Sequence, residues 1–145
     1  MATSNTSQRN IGIWIFSLLA AAFGLLTIKS GGEVLFIDGE ARLAAGHYVP
    51  FVLWFNFSAG FVYIIAAIGL WKMRPWSAQL SFLLAMSTLI VFAAFGLHIV
   101  NGGEYEMRTV IAMSLRSVVW IVIAVFAKWY FLRFNKTAIF IHEAD

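Results

Sequence analysis

Apolar residues in this chain do not alternate with polar ones at a strand or surface-helix period; they run on, broken only at widely spaced points. Four stretches contain no Asp, Glu, Lys or Arg: Asn10 to Ile28, Leu43 to Trp71, Pro75 to Gly103, and Thr109 to Ala127, the last interrupted once by Arg116. A hydrocarbon core about 30 Å thick needs roughly 20 helical residues to cross it. The pattern therefore predicts an all-α membrane protein, with four transmembrane helices over residues 11–28, 50–71, 76–100 and 109–131 of a single domain, 1–145. "KMRPW" predicts a tight turn between the second and third helices, with Pro75 suited to a first helical turn. The segments 29–49 and 101–108 become loops at the opposite end.

Those two loops open alike. "AAFGLLTIKSGGE" at 21–33 and "AAFGLHIVNGGE" at 93–104 each carry an apolar block, a short spacer and Gly-Gly-Glu. Glycine tolerates the left-handed conformation that closes a helix C-terminus, so each glycine pair is expected to stop its helix. The repeat predicts two helical hairpins, first with second and third with fourth, arranged as parallel pseudo-repeats about the membrane normal. Small residues four apart, Ala20 with Gly24 and Asn56 with Gly60, suit close helix packing. The six tryptophans fall mostly toward helix ends, as in an interfacial aromatic belt. "FSLLAAAFG" offers a signal-peptidase-like Ala-x-Ala, but the apolar run continues to Ile28 and is read as an uncleaved first helix.

Composition agrees with lipid as the solvent. Of 145 residues, 61% are hydrophobic and 12% charged, against roughly 25% charged in soluble domains. With both termini cytoplasmic, Arg9, Lys72, Arg74, Lys128, Arg133 and Lys136 lie inside, and Lys29, Arg42 and Arg108 outside. That asymmetry favours N-in, C-in by the positive-inside rule. Glu33, Asp38, Glu40, Glu104 and Glu106 then fall outside, and Glu143 and Asp145 inside. The net charge of +3 is scattered over helix ends, which argues against a nucleic-acid partner. No cysteine is present, which excludes disulfides, CxxC redox chemistry, Cys-ligated zinc and iron–sulfur clusters.

Candidate chemistry gathers at the outer end. Asn56 lies six residues below Pro50 and Arg116 seven after Thr109, each about 9 to 10 Å deep at 1.5 Å per residue. His98 sits just above that level. A membrane arginine costs about 2.5 to 3.5 kcal/mol on insertion scales and normally faces a bundle interior or polar cavity. Glu33, Glu104, Glu106 or a ligand oxyanion would pair with Arg116, and Tyr63 or Asn56 would add hydrogen bonds. Asn56, Tyr63, His98, Glu104, Glu106, Arg108 and Arg116 thus form a candidate ligand or docking site. His47, His98, Glu104 and Glu106 form a candidate transition-metal set, although no HxxxH, HxH or ExxH spacing occurs. Haem is disfavoured, since His47 lies too near the surface to face a second imidazole. No helix serine has a histidine at helical spacing, so catalysis by the isolated chain is not expected.

"FNFSAGFVYIIAAIGLWKMRPWSAQLSFLLAMSTLIVFAAFGLH", residues 55–98, resembles the DoxX-like group of small four-helix membrane proteins. The shared features are a polar residue early in helix 2, a helix ending in "GLW", a short basic turn and a small-residue-rich third helix ending near His98. The resemblance implies a bacterial inner-membrane protein that partners quinone-linked oxidoreductases or oxidative-stress proteins. Asn56 stands where that family usually has a glutamate. The leading expectation is an accessory or anchor subunit of a membrane redox complex, in contact with other membrane subunits or a second copy. Its outer-leaflet site would take a quinone-like or lipid headgroup, or a partner. The alternatives are a metal-handling protein and a purely structural assembly subunit.

Overall fold

The structure is a computed structural model that describes residues 11–142, and their side chains as far as Arg133. Among the described residues all regular structure is helical: α1 (Ile11–Phe36), α2 (Glu40–Ala45), α3 (Pro50–Trp71), α4 (Trp76–Val100) and α5 (Met107–His142). α1, α3, α4 and the Met107–Arg133 part of α5 are 26, 22, 25 and 27 residues long and apolar enough to cross a membrane. At 1.5 Å per residue each exceeds the hydrocarbon thickness. The chain is a multi-pass membrane protein, with four spans among the described residues. Arg9, Glu143 and Asp145, and the side chain of Lys136, all part of the charge count, lie outside the described residues.

Because every span is apolar all round, residue size and not hydrophobicity chooses the packing face. The buried residues of α1 are Ile13, Ser17, Ala20, Gly24, Thr27 and Gly31, spaced alternately four and three apart. Such spacing draws one seam of mostly small side chains along the helix. α3 meets that seam with Ala59, Gly60, Tyr63, Ala66 and Ala67, all buried. At Gly24 and Gly60 backbone meets backbone. A Cβ on Gly24 would sit 2.9 Å from the Gly60 carbonyl oxygen, and one on Gly60 would sit 3.2 Å from that of Gly24.

The other contacts are made by larger groups. α4 packs on α5, and α3 joins the two pairs through the short turn. Tyr63 of α3 lies against Trp120 of α5 with ring centroids 4.5 Å apart, both fully buried. Trp120 is therefore a core residue, a correction to the belt reading, because it occupies the middle of its helix and faces α3. The backbones of α1 and α5 barely approach each other. Side chains bridge them: Phe16 against Phe126 at 4.4 Å, and Arg116 to Thr27.

The helix ends correct the repeat. α4 ends as expected on its glycines: Gly103 N–H donates to His98 O, Gly102 N–H to Ile99 O, and Gly102 has φ +83°. This paired capping is a Schellman motif. α3 ends the same way, with Arg74 N–H to Gly69 O and Met73 N–H to Leu70 O, and Met73 takes the left-handed position at φ +52°. α1 instead runs through Gly31 and Gly32 to Phe36, so the first glycine pair stops nothing and the expected loop 29–49 begins only after Phe36. Gly31 is there for packing: a Cβ would come within 3.2 Å of Phe57 Cβ and 3.5 Å of its Cα. What closes α1 is Arg42 of α2, whose Nε and Nη2 donate to the Val34 and Leu35 carbonyls at 2.9 and 2.8 Å.

Two glycines separate packing from flexibility. Gly24→Ala drives a Cβ onto the α3 backbone and is expected to destabilise by about 1–3 kcal/mol. Gly96→Ala in α4 meets nothing within 4 Å and is expected to be neutral or stabilising by about 0.5–1 kcal/mol. Thermal melts of the two detergent-solubilised variants check this; equal shifts would sink the backbone-contact account.

Candidate functional site

Both long connections lie at the same end of the bundle, because segments 40–49 and 104–108 are bonded to each other. Glu106 Oε1 accepts from the His47 backbone N–H at 3.1 Å, Arg108 Nη1 donates to Ala44 O at 3.0 Å, and His47 Nδ1 lies 2.7 Å from Glu104 Oε2. Gly46 makes the approach possible. It sits at φ +57°, and a Cβ there would run into the Glu106 carboxylate. α2 and its flanks therefore form a lid held from one side by the start of α5 and from the other, through Arg42, by the end of α1.

Beneath the lid is a cavity of about 240 Å³, the liquid volume of roughly eight waters. α1 contributes Thr27, Ser30, Gly31 and Val34, α3 contributes Val52, Leu53 and Asn56, and α5 contributes Thr109, Ala112 and Arg116. Ala45, Tyr48, Glu106 and Arg108 close it from the lid side. The small residues leave the room, and the seam that holds α1 to α3 leaves the gap toward α5.

Arg116 is buried, with 8% of its surface exposed. Its Nη2 donates to Thr27 Oγ1 at 3.2 Å, its Nη1 to Met113 Sδ at 3.6 Å, and its Cζ lies 5.9 Å from the centre of the Phe23 ring. None of Glu33, Glu104 or Glu106 pairs with it among the described residues: the ion pairs there are Arg42 with Asp38 and His47 with Glu104. The expected acid partner is thus replaced by a threonine hydroxyl, because Glu106 is turned to the lid backbone and Glu104 to His47. Arg116 Nε and Asn56 Oδ1 are buried without a hydrogen-bond partner. An unpartnered charged group in an apolar surround is expensive unless a ligand or water satisfies it.

The remaining candidates divide. Asn56, Glu106, Arg108 and Arg116 share the cavity. His98 does not reach it: the imidazole folds back over Gly103, with Nε2 3.1 Å from the Glu104 carbonyl oxygen, and lines an open surface hollow with His47, Glu104 and Pro50. Tyr63 makes no hydrogen bond to Arg116. It lies deeper, where its hydroxyl, Thr88 Oγ1 and Trp120 Nε1 are all buried without direct partners. Among the described residues no group of three or more His, Asp and Glu side chains is arranged to hold a metal ion. His47, His98, Glu104 and Glu106 are instead spent on lid and cap contacts. Thr27 and Ser30 escaped sequence reasoning, since one hydroxyl in an apolar helix usually just bonds its own backbone, as Ser81, Ser114 and Ser117 do.

The native chain has no cysteine, so a single engineered thiol reports on the lid. Asn56→Cys is expected to react slowly with a water-soluble maleimide, and about thirtyfold faster once Glu106→Ala and Arg108→Ala remove two polar anchors worth roughly 1 kcal/mol each. An unchanged rate would mean that the lid does not roof the cavity. No family model, curated protein or solved structure matches the chain, so the site is read from its own geometry.

Proposed function

We propose that the lid-end cavity binds the polar headgroup of a membrane-dissolved molecule, quinone-like or lipid. In this reading the protein is an accessory or anchor subunit of a membrane redox complex in the bacterial inner membrane. The observation that carries the binding reading is Arg116: a buried guanidinium on the cavity wall, with Nε unpartnered and no carboxylate beside it. Guanidinium forks match oxyanions and carbonyl oxygens by geometry as well as charge. Asn56 lines the same cavity and adds an amide to complete a headgroup's hydrogen bonds.

The lysine and arginine distribution supports an orientation with both termini cytoplasmic and the lid outside. The DoxX-like pattern of residues 55–98 supports the accessory role. A purely structural reading would use Arg116 to pair with an acid across helices, and its neighbours are Thr27, Met113 and Phe23. Among the described residues His47, His98, Glu104 and Glu106 form no group arranged to hold a metal ion, which favours the headgroup reading over the metal one.

Organic extraction of the purified protein followed by mass spectrometry tests the binding reading. The wild type is expected to carry one amphiphile in near-stoichiometric amount, and Arg116→Met to lose most of it while remaining folded by circular dichroism. Equal retention by both proteins would refute a site at Arg116.

A further inference from the structure

The lid and the α1–α3 seam close two sides of the cavity. Three polar contacts, from Glu106, Arg108 and Glu104, hold the lid over its water-facing end. α3 closes one flank, because its seam holds α1 backbone to backbone at Gly24 and Gly60. Between α1 and α5 the backbones barely approach, and the first bridge across that gap is Arg116 to Thr27. Lidward of that bridge the cavity is lined by Ser30 and Val34 on α1 and by Arg108, Thr109 and Ala112 on α5. Ser30 and Ala112 line the cavity and are also exposed. Residues that belong to both a cavity wall and the outer surface of a membrane span mark an opening toward the bilayer.

The charge inside selects what passes. Two guanidiniums, Arg116 and Arg108, line the cavity against one carboxylate, Glu106. Glu106 is already engaged with His47 and Arg108 with Ala44, which leaves Arg116 as the cavity-lining cation with no carboxylate partner and with one nitrogen unbonded. A guanidinium without a carboxylate partner pairs with a phosphate oxyanion by charge and by geometry.

We infer that the cavity is a lateral site for an anionic phospholipid, whose phosphate is held by Arg116 and Asn56 and whose acyl chains leave through the cleft between α1 and α5. This rests on the headgroup reading of the cavity and narrows it to a charge class and a route. An aqueous oxyanion offers the same chemistry to Arg116 but would have to come through the lid. A lipid arrives from the side, already concentrated in the bilayer.

The test uses the full-length protein in a non-ionic detergent and compares four probes by thermal shift and native mass spectrometry: phosphatidylglycerol, phosphatidylcholine, a short-chain ubiquinone analogue and inorganic phosphate. Phosphatidylglycerol is expected to raise Tm and to remain bound in the mass spectrum, and the other three to do neither. Arg116→Gln is expected to weaken phosphatidylglycerol binding by about tenfold or more, as loss of a charge-assisted pair requires. Ala112→Phe fills the cleft from an exposed position, so its Tm without lipid is expected to match the wild type while phosphatidylglycerol binding is lost. If Arg116→Gln fails to fold, Ala112→Phe decides alone.

Each contrary result removes a definite part. Stabilisation by inorganic phosphate as strong as by phosphatidylglycerol overturns the lateral lipid in favour of a soluble anion. Stabilisation by the quinone analogue alone overturns the anionic lipid and leaves the headgroup reading standing. Undiminished phosphatidylglycerol binding to Ala112→Phe overturns the α1–α5 route. Undiminished binding to a folded Arg116→Gln overturns the phosphate pairing at Arg116 and with it the headgroup reading.

Discussion

Everything at the lid end depends on how closely α1 is drawn against α3. In lipid no hydrophobic force brings helices together, so contact area and fit decide which faces meet. Gly24 and Gly60 let the two backbones touch, and Gly31 lets α1 lie on Phe57. A bundle pulled tight on one flank must be loose on another. The slack appears between α1 and α5, where bulky side chains hold the helices apart: Phe16 and Phe126 in the turn-end half, Arg116 and Phe23 further toward the lid. The cavity is therefore the geometric complement of the glycine seam and not a defect in packing.

Arg116 shows how such a space is kept polar. Its hydrogen-bonding capacity is only partly used, by Thr27 and Met113. The acids that would neutralise it are drawn elsewhere by groups with a prior claim, Glu106 by the His47 amide and Glu104 by the His47 imidazole. Thus the lid does two things with the same carboxylates: it holds itself down, and it keeps negative charge off the guanidinium. The guanidinium is left with no carboxylate paired to it.

The four spans were legible because lipid imposes a length and an apolar composition that few other environments demand, and the outcome matches those limits. Arg116 and Asn56 were legible as a pair for a related reason: burial depth follows from counting helical residues, and charge at depth needs a purpose. The glycine pairs were not. "GGE" occurs twice with the same local preferences, yet Gly102 closes a helix while Gly31 packs inside one that runs on to Phe36. The difference is the partner, Phe57 across from Gly31, which no local rule reveals. Arg42 was hidden for the same reason, its function at the end of α1 being set by carbonyls seven and eight residues away. His98 looked chemical because histidine is rare in lipid-facing segments, but it sits over its own helix cap.

α2 deserves reading as a strap as well as a roof. Six residues long, it is fastened to the last carbonyls of α1 by Arg42 and to the first turn of α5 by way of Ala44 and Arg108. Those two helices are the walls of the gap at Arg116, so their separation at this end is fixed by a helix only about 9 Å long. Widening the gap means stretching or releasing the strap. The width of the gap beside Arg116 is thus set at its lid end, by a short helix that puts only Ala45 into the cavity wall.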